Sequence, residues 1–476
     1  MKQKTKQRVL SLAAAGIFAA GALAGCAGPG AGASSAAPVS APASGAAEPS
    51  SAPSEPVKLT LWHSMSDETG TLLNSIIKDF NDGAGKEKSI QVETVFQGSY
   101  TDATTKLRAV LQNDQKDQLP DVMQIDATGI VDYQKTPYQY TVTDALKDDP
   151  SYKLDDVMQV PLLNWNYGGV QLGMPFSTST TVLFYNKTML DKAGVTAAPT
   201  TFQEIIDLSK KLPKKNDAGK AVSAFACVPD SPSLANWIGQ MPGSGADASY
   251  LVDQKNGRAG SATKLVCDQE GTLLTFLTEW KKMYDAKALL NQSKNLSDLF
   301  MAQQTALYMG YSSSLTYLLT SIGGKFELGC AYLPRVNDQS NYGATAGGSG
   351  MFMFNKDDKA RTAAAWELVK YLISADVQAK FSAGTGYFPA SKAAYQTETY
   401  KAFAQKYPQI EVAVKQVNET KPDMLGITIG PSWDFYMDVQ NLSSEMLSKG
   451  ENPEAAVKKM SDTLNGLLTQ YAKSNG

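Results

Sequence analysis

The chain has 476 residues, 43% of them hydrophobic, which is long for one domain and comfortable for two with buried cores. Its 44 Lys+Arg against 47 Asp+Glu give a net charge of −3, the wrong sign for a nucleic-acid binder, and no dense basic run follows the first residues. One histidine, His63, rules out a multi-histidine zinc site, and a Ser/His/Asp or Cys/His catalytic set would have to be built around it.

Residues 1–25 place Lys2, Lys4, Lys6 and Arg8 ahead of an apolar Ala/Leu/Gly stretch, which ends in Leu23-Ala24-Gly25-Cys26. That stretch is too short and small-residued for a spanning helix. The tetrapeptide resembles a bacterial lipoprotein signal, which predicts a signal peptide over 1–25 and lipidation at Cys26. An ordinary secretory signal with an incidental cysteine is the plainer alternative. Without the four leading cations the charge is near −7, from 40 Lys+Arg against 47 Asp+Glu. Residues 27–56 are almost all Ala, Gly, Ser and Pro. Such a composition buries too little apolar surface to offset the entropy of ordering, so 26–56 is expected to be a flexible tether behind a lipid anchor. The protein is thereby expected at the extracellular face of the cell membrane, lipid-anchored.

From residue 57 the pattern alternates between strand and helix. Residues 57–63 read as a strand, and Ser66 then precedes two acids and apolar residues at helical spacing from Leu72 to Phe80. Residues 89–97 and 121–127 read as further strands around a helix at 100–114. This β-α-β-α-β order predicts a parallel sheet with right-handed crossovers, whose ligands meet the carboxyl ends of the strands. Those ends carry His63-Ser64, Gly98-Ser99-Tyr100 and Asp126-Ala127-Thr128. "PFSTSTTVLFYN" (175–186) sets Ser177, Thr178, Ser179, Thr180 and Thr181 just before an apolar, β-branched strand; a simple turn is the alternative use for them. A second α/β region follows, with a helix after Thr200-Thr201 backed by Glu204. Further helices are predicted over 272–290 and 296–310, strands over 327–336 and from 347, a helix from 359, and a largely helical end after Ser391.

No catalytic motif is complete. "GGSGM" (347–351) lacks the last glycine of a nucleophile elbow, and there is no Walker loop. His63, at a strand end, reads as a polar lining group rather than a base. Beyond Cys26 the cysteines are Cys227, Cys267 and Cys330; a 227–267 disulfide and buried free thiols both remain open.

The segments "KLTLWHSMSDETGTLLNSIIKDFN", "FQGSYTDATTKLRAVL", "PFSTSTTVLFYNKTMLDKAGV", "GGSGMFMFNKDDKARTAAAWELVKYLIS" and "GTGYFPASKAAY" stand in an order that resembles the extracellular solute-binding proteins of ABC importers. The likeness is greatest to the branch that binds glycerol-3-phosphate and many sugars. It implies an α/β, two-lobed periplasmic-binding-protein fold (type II, Venus-flytrap) with crossing hinge segments. One lobe would span 57–178 with 337–380, and the other 179–336 with 381–476. It also implies a small-molecule carbohydrate ligand, permease subunits of an ABC transporter as partners, a monomer, and no cofactor, metal, nucleic acid or catalysis.

The resemblance places Thr178 and Ser179 at the first crossing, where uncharged hydroxyls suit a polyhydroxylated ligand. Tyr100, Ser312, Gly348 and Tyr387 match ligand-contact positions, and Gly347 completes a glycine pair that lets ligand approach backbone N–H groups. Trp237 falls where an aromatic platform is common, a core tryptophan being the even alternative. Two departures bear on the ligand: the branch's cleft glutamate falls at Ala127 beside Asp126, and its phosphate-binding arginine falls on Tyr436. With Trp433, Tyr436 favours stacking on a neutral sugar over glycerol-3-phosphate, although Arg335 or a lysine could still supply a cation. A surface glycoside hydrolase and a purely structural lipoprotein are the rival classes.

Overall fold

The computed structural model describes residues 55–475 apart from 243, 244, 246 and 248. The expected signal peptide, Cys26 and nearly all of the expected tether therefore lie outside the described residues. The described chain from Glu55 onward belongs to one compact unit, and no helix in it is long and apolar enough to cross a membrane.

Its centre is a ten-stranded sheet. The strands are β1 (Val57–His63), β2 (Ile90–Phe96), β3 (Val122–Asp126), β4 (Gln139–Tyr140), β5 (Met174–Asn186), β6 (Ser223–Ala226), β7 (Leu289–Leu290), β8 (Thr305–Tyr311), β9 (Leu328–Ala331) and β10 (Ala346–Phe354). The main order is β2-β1-β3-β10-β5-β8-β6-β7, with β9 also on β5 and β4 on β10. As expected from the opening β-α-β-α-β pattern, β1 pairs in parallel with both β2 and β3. Two helices between them start with satisfied or acid-rich ends: Ser99 caps Tyr100–Gln112 reciprocally with Asp102, and Asp67 and Glu68 open Asp67–Asp82.

Strand β5 joins two halves of this sheet. Its first part pairs antiparallel with β10, from Thr180 opposite Ala346 to Met174 opposite Met351. Its last part pairs with β8, from Thr181 opposite Tyr311 to Tyr185 opposite Leu307, and with β9. The five hydroxyl residues thus lie inside the strand, where its partners change. Each half has its own core. Leu61, Ile76, Phe80, Val122, Met353 and Leu368 belong to one, and Phe202, Phe225, Trp237, Phe276, Trp280 and Leu307 to the other. A third cluster, including Phe184, Phe300, Leu318 and Ile410, packs beside the end of β5.

Two predicted helices are shorter than the sequence suggested. The helix begun at Thr272 ends at Asp285, and Leu289–Leu290 joins the sheet edge. Residues 296–310 divide into a helix over Leu296–Met301 and the strand Thr305–Tyr311, whose first three residues are buried. Gln303 turns the chain between them with φ of 56°. A short apolar run reads equally as helix or buried strand, and pairing with β5 and β6 decides for strand. Cys227, Cys267 and Cys330 are free thiols.

Candidate ligand-binding site

A cavity of about 400 Å³ opens where β5 passes from one half of the sheet to the other. That volume falls in the range of roughly 300–1,000 Å³ usual for small-molecule sites. Ser179, Thr180 and Thr181 of β5 line it, with Gly347 and Gly348 of β10, Tyr311 at the end of β8 and Asp126 at the end of β3. Helices deliver the rest: Tyr100 from a first turn, Asn236 from Ser231–Gln240, and Trp433 and Tyr436 from the start of Ser432–Lys449. Tyr387 follows the helix Ala375–Thr385, and Asn164, Arg258 and Thr345 come from connecting segments.

The lining is held by a buried polar network. Gln124 of β3 donates to the Tyr100 hydroxyl at 3.0 Å and to Ser349 Oγ at 2.7 Å, and its carbonyl accepts from the Ser64 N–H at 3.0 Å. Both amide hydrogens and the oxygen are thereby used, so the Tyr100 ring has a fixed position. Ser177 and Ser349 bond each other at 2.6 Å, tying β5 to β10 beneath the glycines. Asn236 Oδ1 accepts from the Thr345 N–H and hydroxyl, both at 2.9 Å. Burial pushes the Tyr100 and Tyr387 phenols up, and Tyr436, beside the Asp230 carboxylate, is raised by burial as well. All three are neutral donors at ordinary pH. Trp433 is 65% exposed and lies parallel to Tyr436 at 5.5 Å, an aromatic pair at the cavity rim.

Arg258 has an unusual environment. It is 5% exposed, and its Nε and Nη2 donate to the Gly426 carbonyl and Asn164 Oδ1 at 2.9 Å, with a further bond to the Asn164 carbonyl. Every acceptor is neutral. Desolvation pulls its pKa down to about 9. Nothing in "QKNGRAG" marked this arginine as buried, because its acceptors come from residues 164 and 426.

The family model for bacterial extracellular solute-binding proteins matches residues 75–411, well over half of the chain. The chain belongs to that family. The sn-glycerol-3-phosphate-binding periplasmic protein UgpB of Yersinia pestis is 23% identical over 430 residues, covering 88% of this chain and 94% of that one. The sugar-binding protein MalE of Xanthomonas citri superposes with a TM-score of 0.70 at 18% identity, over 88% of this chain and all of the other. UgpB of Mycobacterium tuberculosis, solved with glycerophosphocholine, gives 0.67 at 18%, with the same coverage. The fold is the two-lobed α/β fold that the family resemblance implied.

In this solute-binding protein the cavity gathers Tyr100, Asp126, Ser179, Gly347, Gly348, Tyr387, Trp433 and Tyr436 from the residues singled out in the sequence. Four others lie elsewhere. Trp237 is fully buried in the aromatic core of its half, not at the cavity, because the helix turns Asn236 toward the site and Trp237 away from it. His63 is 3% exposed against the Phe96 ring, and burial lowers its pKa, so it is a neutral packed group. Thr178 is buried in the strand, its carbonyl accepting from the Phe388 N–H at 2.9 Å. Ser312 supports the site from behind by accepting the Thr180 N–H at 3.2 Å. Arg335, the sequence's candidate cation, stacks on Tyr342 outside the cavity. Asn164, Asn236, Arg258, Tyr311 and Thr345 were not singled out. Gln124 carried one signal, a polar residue inside the apolar run "DVMQIDA".

Gly348 is held at φ 102°, where an added Cβ would lie 1.8 Å from the Ser177 carbonyl oxygen. Gly348→Ala is expected to lower the melting temperature and weaken ligand binding about tenfold or more. The left-handed backbone alone costs ~1–2 kcal/mol for a residue with a Cβ, and relief of the clash would push β10 off β5. Calorimetric titration with unchanged affinity would remove Gly348 from the site.

Proposed function

We propose that the protein is the ligand-capture component of an ABC importer, anchored through Cys26 at the outer face of the cell membrane, and that it encloses a neutral carbohydrate. The lobes would be 57–178 with 337–380 and 179–336 with 381–476, closing on the ligand and presenting the closed form to a membrane permease. The observation that carries this reading is the lining itself. Ser179, Thr180, Thr181, Asn236 and Thr345 offer uncharged hydrogen bonds, while Tyr100, Tyr311, Tyr387, Trp433 and Tyr436 offer ring faces and phenol edges. This is the combination a polyhydroxylated ring requires. MalE of Xanthomonas citri, of the same fold, is a sugar-binding protein.

Ligand touching both lobes stabilises the closed arrangement by its differential affinity, and no chemistry follows. Among the described residues Asp126 is the one carboxylate in the lining, whereas glycoside hydrolysis needs a facing pair. That supports a binder rather than a hydrolase.

Arg258 favours a second reading, in which the ligand carries a phosphate, as in the glycerol-3-phosphate-binding relatives. A buried guanidinium with only neutral acceptors gains strongly from an anion brought beside it.

Calorimetric titration of residues 54–476 against glycerol-3-phosphate and a panel of mono- and oligosaccharides decides between the two readings. Sugar binding without competition by glycerol-3-phosphate is expected. Tight glycerol-3-phosphate binding with no sugar competing would overturn the carbohydrate assignment. In that event Arg258→Met would weaken phosphate binding by about 10- to 150-fold, as loss of a charge-assisted bond does. Under the carbohydrate reading the same variant leaves sugar affinity nearly unchanged. For the anchor, Cys26→Ala is expected to abolish incorporation of labelled fatty acid, and persistent labelling would refute lipidation at Cys26.

A further inference from the structure

The cavity borders a second depression. Ser313 lines both the cavity and a groove of about 820 Å³ that runs outward between the helices Leu315–Ile322, Glu398–Lys406 and the end of Ala375–Thr385. The junction is tightly built. Gly386 adopts φ 87°, with the position of a Cβ only 3.2 Å from the Ser313 carbonyl oxygen, so Tyr387 of the cavity sits against Ser313 of the groove.

Helical spacing explains what the groove presents. Along Leu315–Ile322, Leu315, Leu318 and Ile322 are buried, which turns Tyr317, Thr320 and Ser321 to the opposite, groove-lining face. Thr399 and Thr69 add hydroxyls from the far wall and from the first helix. The side chains of Thr69, Thr320, Ser321 and Thr399 make no hydrogen bond within the protein among the described residues. Tyr317 is 54% exposed, a large aromatic face directed at solvent beside unused hydroxyls. Glu68 and Lys406 are charged groups of opposite sign in the same lining, so the groove has no single charge with which to select an ionic ligand.

We propose that this groove is a second carbohydrate subsite, which takes the units of an oligosaccharide that extend beyond the enclosed cavity. The preferred ligand is then an oligomer rather than a single sugar. This rests on the carbohydrate reading of the cavity. A chain of sugar units passing Ser313 meets free hydroxyls on the groove walls and stacks one ring on Tyr317, as it stacks others on Trp433 and Tyr436 at the cavity rim.

The test is titration of residues 54–476, wild type and Tyr317→Ala, with linear α-1,4-gluco-, β-1,4-gluco-, xylo- and manno-oligosaccharides of one to seven units. In the recognised series, affinity is expected to rise at the length that passes Ser313. Tyr317→Ala should remove about 2- to 12-fold of affinity from the long members and none from the short ones. Because Tyr317 is exposed, the variant should melt with the wild type. Affinity independent of length, or an equal loss or no loss for short and long sugars in Tyr317→Ala, would overturn the groove while leaving the cavity reading intact. Failure of every series to bind would overturn the carbohydrate reading itself, and the groove with it.

Discussion

Trp237→Ala is expected to lower the unfolding free energy by about 3–5 kcal/mol, the cost of deleting a large aromatic from a packed core, and to leave ligand affinity of the folded protein essentially unchanged. The ring lies 5.3 Å from Phe276 in a stacked arrangement, with Trp280 at 5.3 Å and Phe202 edge-on at 5.5 Å. Its Nε1 donates to the buried Pro334 carbonyl at 3.0 Å, so truncation removes packing and orphans an acceptor together. Urea denaturation followed by fluorescence measures the first effect, and titration with the ligand the second. A variant that keeps its stability but loses affinity would restore Trp237 to the role of stacking platform.

Asp121→Ala should cost a comparable ~3–5 kcal/mol, for an electrostatic reason. The carboxylate is almost fully buried and receives a two-pronged pair from Arg361, Nε at 2.8 Å and Nη2 at 2.6 Å. Lys356 Nζ stands at 3.3 Å, and the Thr60 N–H donates at 2.8 Å. The residue's own N–H and carbonyl bond to Thr60 and Phe354, so its backbone joins β1 and β10 while its carboxylate ties β1 to Lys356 and the helix Lys359–Leu372. Removal leaves Lys356, 11% exposed, and Arg361, 33% exposed, beside each other without the anion they share. A second substitution, Arg361→Met, should therefore recover part of the loss, because it takes away one of the unpaired charges. Chemical denaturation of both single variants and the double variant tests this. A loss below about 1 kcal/mol for Asp121→Ala would place the cluster among weak surface pairs.

Much of the first half of the sheet was legible because its signals are local. Alternating β-branched residues, the two acids after Ser66 and helical spacing from Leu72 to Phe80 act within a turn or a strand, where sequence neighbours are also spatial neighbours. Residues 305–311 escaped that logic, since an apolar run of strand length becomes a strand only when β5 and β6 offer their edges. The site divides in the same way. Hydroxyl density in 177–181 marked it in the sequence by its chemistry, whereas the glycine pair and the aromatics at 433 and 436 were pointed out by the family resemblance.

Which face of each element meets the cavity was settled by packing. On one helix Asn236 lines the site while its neighbour Trp237 fills the core, because the apolar face of that helix docks on Phe202 and Phe276. Gln124 serves the site from within a strand, where only the approach of Tyr100 and Ser349 gives its amide partners. Arg258 shows the limit most clearly. A charged residue among polar neighbours reads as solvated, yet acceptors from segments far along the chain enclose it. The sequence by itself determined the α/β pattern and the run of uncharged hydroxyls that lines the cavity. The tertiary structure alone decided which of those groups face the cavity and that a desolvated cation stands among them, since burial and side-chain direction depend on contacts between residues distant in the chain.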